Sequence, residues 1–283
     1  MPILHDGHWS DRSRRGLSRR ADGGGREAVS QEQREENVMN IENKTVLITG
    51  ANRGIGRALV DEALRRGARK VYAGTRGPWQ HSDKRVTPLT LDVTNAAQIQ
   101  RAVENVESLD LLINNAGVDL HDALSDRNGI ERHLAVNLFG THGVSHAFLP
   151  SLTRSRGAIV NLLSLAALAS VPFTPAYSIS KAAVFSLTQA LRASWAERGV
   201  RVHAVLAGPV DTDMTRGLDI PKSSPDSVAK AIFDGLEKGE EDIFPDPMSA
   251  SIAESWRNGA AKVLEQQFRV FVPENVGVPR SGN

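Results

Sequence analysis

The 283-residue chain has no cysteine, which excludes disulfides, thiolate metal ligands and a cysteine nucleophile, and fits a reducing, cytoplasmic setting. It has no excess of either charge: 34 basic residues stand against 33 acidic ones, a formal charge of +1, so nothing in the balance points to nucleic acid or an anionic membrane as partner. Long apolar runs are missing as well. The longest uncharged stretch, residues 157–180, is interrupted by Asn161, Ser164, Pro172, Thr174 and Pro175, which argues for a buried strand and a loop, not a membrane span. After residue 40 there is no internal repeat and no low-complexity segment. With 40% hydrophobic residues, the chain is long enough to bury the core of one large α/β domain, and two domains are not required.

Residues 1–40 differ in kind: Arg-rich and Ser-rich patches surround Gly23, Gly24 and Gly25, and periodic apolar positions are nearly absent, so a disordered N-terminal extension is expected. That segment has no continuous apolar core of the kind a secretion signal needs, and its acids count against an organellar transit peptide. Met39 stands just before the first apolar run. Two readings follow, a physiological start at Met39 or a genuine flexible tail; either way, deleting residues 1–38 is expected to leave stability and activity unchanged.

From residue 44 the chain alternates strand-like and helix-like segments. Residues 45–48, 70–73, 86–91, 109–113, 158–163 and 200–206 are short apolar runs, 54–66 and 176–198 read as helices, and Ile243-Phe244 reads as a last edge strand. Such alternation implies βαβ units and a parallel sheet covered on both faces, a doubly wound α/β domain over 41–268 with a tail at 269–283. Near the end Ile252, Trp256, Ala260, Leu264 and Phe268 recur every fourth residue, the stripe of an amphipathic helix that packs on the body or on a neighbouring subunit.

Chemistry gathers around Tyr177-Ser-Ile-Ser-Lys181, where a phenol and an ammonium stand four residues apart and share a helix face. A tyrosine titrates near ~10, and a neighbouring positive charge favours phenolate, so Tyr177 is a candidate proton donor and acceptor. Thirteen residues earlier Ser164 closes an apolar run, placing a hydroxyl where open α/β sheets carry their chemistry. Between the first strand and first helix, Thr49-Gly-Ala-Asn-Arg-Gly-Ile-Gly56 has the pattern G-x-x-x-G-x-G, with glycines that let the backbone approach a pyrophosphate at a helix N-terminus. His142 and His146 have helical spacing but lack the further ligands a zinc site needs, so no metal is expected.

Taken with Leu91-Asp92-Val93, Asn114-Asn-Ala-Gly117, Asn137 and Gly208-Pro-Val-Asp-Thr212, these motifs resemble those of the short-chain dehydrogenase/reductase superfamily over residues 45–214. The resemblance implies a single Rossmann domain with a seven-stranded parallel sheet, and hydride transfer between a nicotinamide and a carbonyl or alcohol. It gives Asn137, Ser164, Tyr177 and Lys181 as the catalytic set: Ser164 and Tyr177 on the substrate oxygen, Lys181 depressing the phenol and holding the ribose, and Asn137 anchoring a water that relays protons. It also gives a cofactor surface of Thr49, Gly50, Asn52, Arg53, Gly54, Ile55 and Gly56 in the turn, with Asp92 and Val93 at the adenine. Asn114, Ala116 and Gly117 would lie beside the central sheet, and Gly208, Val210 and Thr212 at the nicotinamide end. A homodimer or homotetramer, pairing the long helices of neighbouring subunits, is implied too.

Two departures from the family pattern are visible. Its usual Pro-Gly is Ala207-Gly208-Pro209 here, and residues 240–247 replace the glycine-rich last strand of acyl-carrier ketoreductases, which counts against an acyl-carrier substrate. Leu165, Ala166, Ala167, Pro172 and Phe173 suggest an apolar substrate pocket. NADP(H) is expected over NAD(H), because Arg76, twenty residues after Gly56, stands where an acid binds the 2′-hydroxyl in NAD enzymes, and Arg53 would reach the same 2′-phosphate. Two rivals stay open: an idle nicotinamide sensor, which binds cofactor without turnover, and a partner-binding α/β domain, which shows no NADPH fluorescence enhancement.

Overall fold

The computed structural model describes residues 39–120, 124 and 126–272. The expected extension as far as residue 38 and the tail from residue 273 lie outside the described residues. Met39, assigned by its sequence to the extension, is 3% exposed and packs in the core beside the fully buried Ile41.

Seven parallel strands form one sheet in the order β3-β2-β1-β4-β5-β6-β7. They are β1 (Thr45–Thr49), β2 (Lys70–Thr75), β3 (Val86–Thr90), β4 (Leu111–Asn114), β5 (Ala158–Leu162), β6 (Arg201–Val205) and the two-residue edge strand β7 (Asp242–Ile243). Side chains alternate across a strand, and here both faces are apolar. Val46, Ile48, Leu111, Ile113, Ala158 and Val160 point to one layer, where α1 (Gly54–Arg65) and α6 (Pro225–Glu237) supply Leu59, Ile232 and Phe233. Leu47, Leu112 and Ile159 point to the other. There α2 (Ala96–Asn105), α4 (Thr141–Ser155) and α5 (Pro175–Trp195) contribute Ile99, Phe148 and Leu191.

Because β1 pairs with β2 on one side and β4 on the other, the chain reverses its winding between β1 and β4. A crevice opens outside the carboxyl ends of strands at such a point. Helix α3 (Arg127–His133) runs into a widened π turn, Leu134–Gly140, before α4. Among the described residues no helix is long and apolar enough to cross a membrane.

At the C-terminus the short α7 (Pro247–Ala250) precedes the expected helix, which is broken into α8 (Ala253–Arg257) and α9 (Ala260–Phe268); Trp256 packs on Phe185 of the body, while the apolar stripe of α9 faces outward. Leu264 and Phe268 are 46% and 61% exposed, while Lys262 and Glu265 are buried. The reason is an ionic surface on the body. Arg192 of α5 holds Asp242 at 2.8 Å and also pairs with Glu265; Lys262 reaches Asp242 at 2.6 Å and Glu265 at 3.0 Å; and Arg269 binds Glu241 at 2.8 Å. Three cations meet three carboxylates, so α9 docks through its charges, a preference that apolar periodicity does not reveal.

Candidate active site

A cleft of about 870 Å³ runs over the carboxyl ends of β1, β2, β4, β5 and β6. Its floor at one end is the glycine turn. Gly50 and Gly54 adopt φ of 65° and 52°, the left-handed region that favours glycine. Gly56 is fixed by space instead: an added Cβ would lie 2.1 Å from the Gly50 carbonyl oxygen and 2.5 Å from Asn115 Nδ2. Helix α1 starts here with Arg53 as its N-cap, no side chain capping it and no acid in its first turn. Uncapped N–H groups at the positive end of a helix dipole suit a pyrophosphate, so the residues present fit a dinucleotide.

Gly50, Asn52, Arg53, Gly54, Ile55 and Gly56 line this cleft, as their pattern implies. Asp92, Val93 and Arg76 line the cleft beyond the ends of β2 and β3, and Ala116, Gly117 and Thr212 line it too. Arg76 is exposed and close enough to help hold the Asp92 carboxyl below its ordinary range, after the two hydrogen bonds from Thr94. Arg53 departs from expectation: its Nη1 donates to Asp213 Oδ2 at 3.1 Å, so the guanidinium is directed to the loop after β6.

Four expected cofactor residues serve the scaffold and do not line the cleft. The Thr49 hydroxyl accepts the N–H groups of Asn115 and Ala116, each at 3.0 Å, and ties β1 to β4. Asn114 donates to Ser145 Oγ at 2.9 Å and to Asn161 Oδ1 at 2.8 Å, stitching the sheet to α4. Gly208 gives its N–H to Asp246 Oδ2 at 2.7 Å, and a Cβ there would come within 2.6 Å of Asp246 Oδ1. Buried Val210 bridges to Ser223. Sequence reading missed Asn115, which lines the cleft and whose Nδ2 donates to the carbonyls of Thr49 at 2.8 Å and Gly50 at 3.0 Å. It is adjacent in sequence to Asn114, and only the fold distinguishes their directions.

At the other end Tyr177 and Lys181 of α5 line the same cleft. Pro175 opens that helix, its ring fitted to the first turn. Enclosure pushes the Tyr177 phenol up; the neighbouring Ser164 hydroxyl acts in the opposite direction, and the Asp119 carboxylate adds to the rise. This corrects the expected depression by Lys181. Lys181 Nζ sits over the Tyr177 ring, 5.5 Å from its centre, and donates to the Leu162 carbonyl at 2.7 Å. Burial pushes this ammonium down to about 8.

Asn137 lies in the π turn, and both ends of its side-chain amide are hydrogen-bonded. Oδ1 accepts Val118 N–H at 2.8 Å, while Nδ2 donates to Val118 O at 3.0 Å and to Ser180 Oγ at 2.8 Å. The amide therefore clamps the loop after β4 onto α5. Gly117 permits the closeness, since a Cβ there would stand 3.2 Å from Asn137 Oδ1 and 3.6 Å from Lys181 Nζ. The expected apolar pocket is also moved: Leu165 and Ala167 pack into a core cluster with Phe185, and Phe173 is 54% exposed. Val118, Leu120, Leu163 and Met214 line the cleft instead. Among the described residues no group of three or more potential metal ligands converges; His142 and His146 stack with ring centres 4.3 Å apart.

Comparison with known proteins agrees with this arrangement. Residues 44–222 match the short chain dehydrogenase family. Oxidoreductase UcpA of Salmonella typhimurium is 32% identical over 267 residues, covering 84% of this chain and 98% of the relative. The 2-(S)-hydroxypropyl-CoM dehydrogenase 3 of Xanthobacter autotrophicus is 36% identical over 210 residues, covering 68% and 82%. Among solved structures, a short chain dehydrogenase from Burkholderia cenocepacia in complex with NADP superposes with a TM-score of 0.74 at 36% identity, covering 83% of this chain and all of that one. With the strand order, and with the glycine turn, Tyr177 and Lys181 lining one cleft, the chain belongs to the short-chain dehydrogenase/reductase superfamily of oxidoreductases.

Proposed function

We propose that the protein is an NADP(H)-dependent oxidoreductase that interconverts a carbonyl and its alcohol, with Tyr177 as proton donor and acceptor. The observation that carries this reading is that Tyr177, one turn from Lys181, faces the same cleft that the Gly50–Gly56 turn floors. Bound in that cleft, the nicotinamide would supply or accept the hydride. The chain's own groups do the rest. Ser164 and Tyr177 hold the substrate oxygen, and the phenol, kept protonated by its surroundings, delivers its proton there. Lys181 presents a buried ammonium to a ribose, and Asn137 fixes the loop that packs against both.

Preference for NADP(H) is supported by the end of β2, where Thr75 spends its hydroxyl on the Gly77 carbonyl at 2.7 Å and the next side chain is the exposed Arg76 guanidinium. No carboxylate stands at this turn to accept a 2′-hydroxyl or to repel a 2′-phosphate. A relative of known structure, 36% identical, holds NADP. The lining by Val118, Leu120, Leu163 and Met214 supports an apolar carbonyl compound as substrate. Self-assembly as a homodimer or homotetramer is part of the same reading, and sedimentation velocity checks it.

The deciding experiment is NADPH binding by fluorescence, followed by NADPH oxidation over a panel of ketones, aldehydes and quinones. Binding with turnover of at least one member supports the assignment. Binding without turnover across the panel would leave the idle-sensor reading in its place.

A further inference from the structure

The loop after β4 brings a carboxylate into the carbonyl end of the cleft, at Asp119. Its Oδ1 accepts the Thr174 hydroxyl at 2.5 Å. Thr174 is the N-cap residue of α5, yet its side chain makes no capping bond to the helix. The hydroxyl that would ordinarily satisfy a first-turn N–H is committed to Asp119 instead. Tyr177 follows three residues later on the same helix.

On the other side, His133 of α3 places Nε2 3.8 Å from the same carboxylate oxygen. This imidazole is a neutral neighbour. Nε2 accepts the Leu120 N–H at 3.0 Å, so the ring proton belongs to Nδ1, which donates to the Gly129 carbonyl at 2.7 Å. The His133 ring also meets Tyr177 edge to face, with centres 6.5 Å apart. With Val118 clamped by Asn137 and Leu120 held by His133, both flanks of Asp119 are fixed, and its side chain is only 10% exposed. Among the described residues, the titratable groups that act on it or lie against it include Tyr177 and Lys181 from α5 and His133 from α3.

Resting on the reading of Tyr177 and Lys181 given above, we propose that Asp119 is a positioning residue of the reaction, a fixed negative charge that keeps the Tyr177 phenol and the Lys181 ammonium loaded with their protons. A carboxylate beside a phenol opposes phenolate, and beside an ammonium it favours the cation, so both effects have the same sign. Asp119 pushes both groups upward, against the burial that brings Lys181 down to about 8. The consequence is directional. Reduction adds a hydride to the carbonyl carbon and the Tyr177 proton to its oxygen, while the reduced nicotinamide becomes oxidised. Alcohol oxidation reverses every transfer and needs Tyr177 as phenolate, so a proton-loaded pair favours reduction near neutrality.

The binding arm of the test uses the full chain and NADPH, so it does not depend on knowing the substrate. Lys181 holds the ribose in this reading, and the NADPH dissociation constant should rise as pH passes through the titration of its ammonium. In Asp119→Asn that break should move down by about one pH unit, and Asp119→Glu should return it toward the parent value. Thr174→Val, which keeps the charge but releases its tether, should move it in the same direction by less. With acetophenone and 1-phenylethanol as the probe pair, the ratio of reduction to oxidation rates at pH 8 should fall about tenfold in Asp119→Asn.

Weakened binding at every pH with an unmoved break, in a variant that melts like the parent, would assign Asp119 a merely structural role and overturn the proposal. An unmoved break in both Asp119→Asn and Thr174→Val, while Tyr177→Phe still abolishes turnover, overturns it and leaves the proposed function standing. Failure of the parent protein to bind NADPH overturns both.

Discussion

Arg53 and Asp213 face each other across the dinucleotide cleft, the Arg53 guanidinium donating to the Asp213 carboxylate at 3.1 Å from the glycine turn to the loop after β6. The pair is well exposed, 67% and 44% at the side chains, and exposed pairs contribute little to stability, about 0–1 kcal/mol. Its effect is expected in binding. Asp213→Ala should free a cation for a phosphate-bearing cofactor and lower the KM for NADPH a few-fold at low salt, with the gain shrinking as ionic strength rises. Steady-state kinetics at two salt concentrations measure this, and no change at low salt would mean that Arg53 does not reach the cofactor.

Arg76 is the stronger candidate for cofactor choice. Hydrogen bonds to charged groups contribute about 1.5–3 kcal/mol, so Arg76→Ala should reduce the NADPH-to-NADH ratio of kcat/KM by at least about tenfold. Equal use of both cofactors by the parent protein would refute the assignment, and an unchanged ratio in the variant would place selectivity elsewhere.

Tyr177→Phe removes the one hydroxyl proposed to carry the proton, and turnover should fall by roughly 10²-fold or more while NADPH affinity stays within a factor of about two. Lys181→Ala should damage both, because the ammonium is proposed to serve proton transfer and ribose binding. Fluorescence titration beside kcat separates the two effects. Parent-like turnover in the phenylalanine variant contradicts the mechanism.

The ionic cluster under α9 should be costly to break and insensitive to pH until strongly acid conditions. Arg192 bonds Asp242, Glu265 and the Val202 carbonyl, so Arg192→Met leaves buried carboxylates short of a partner. The expected cost is roughly 3–5 kcal/mol, a melting decrease on the order of 10 °C by calorimetry. The cations hold Asp242 and Glu265 below their ordinary values although burial opposes this. Their contribution is fully present above the unfolded carboxylate values, about 4, and is lost only as pH falls through the lower folded values.

His203 sets an earlier pH limit. It is buried, its Nδ1 donates to the Glu240 carbonyl at 2.7 Å, its Nε2 has no partner among the described residues, and burial pushes it down to about 4. An unfolded histidine titrates near ~6.5, so between these values the unfolded chain binds the extra proton and stability falls with falling pH. The unfolding free energy from urea titrations should decrease from about pH 6.5 toward 4, by a total on the order of 3 kcal/mol. His203→Gln should flatten that slope, and a parallel slope in the variant would exclude His203 as its source.

Much of this molecule was legible in residue order. Alternating apolar segments placed the seven strands to within two residues at most ends, because a strand buried on both faces needs a continuous apolar run. The G-x-x-x-G-x-G turn and the Tyr177–Lys181 spacing are local, and local geometry carries them: one helix turn for the pair, and for Gly56 a contact that leaves no room for a Cβ. What residue order could not supply was direction and neighbourhood. Asn114 and Asn115 are chemically identical and adjacent, yet one turns into the sheet-to-helix network and the other into the cleft, as alternation along a strand end requires. The outward apolar face of α9 followed from ions contributed by α5 and β7, which are distant in the chain. The phenol's proton affinity was likewise decided by tertiary structure, because it is set first by enclosure in the folded body, with a further upward push from Asp119, fifty-eight residues away in the chain.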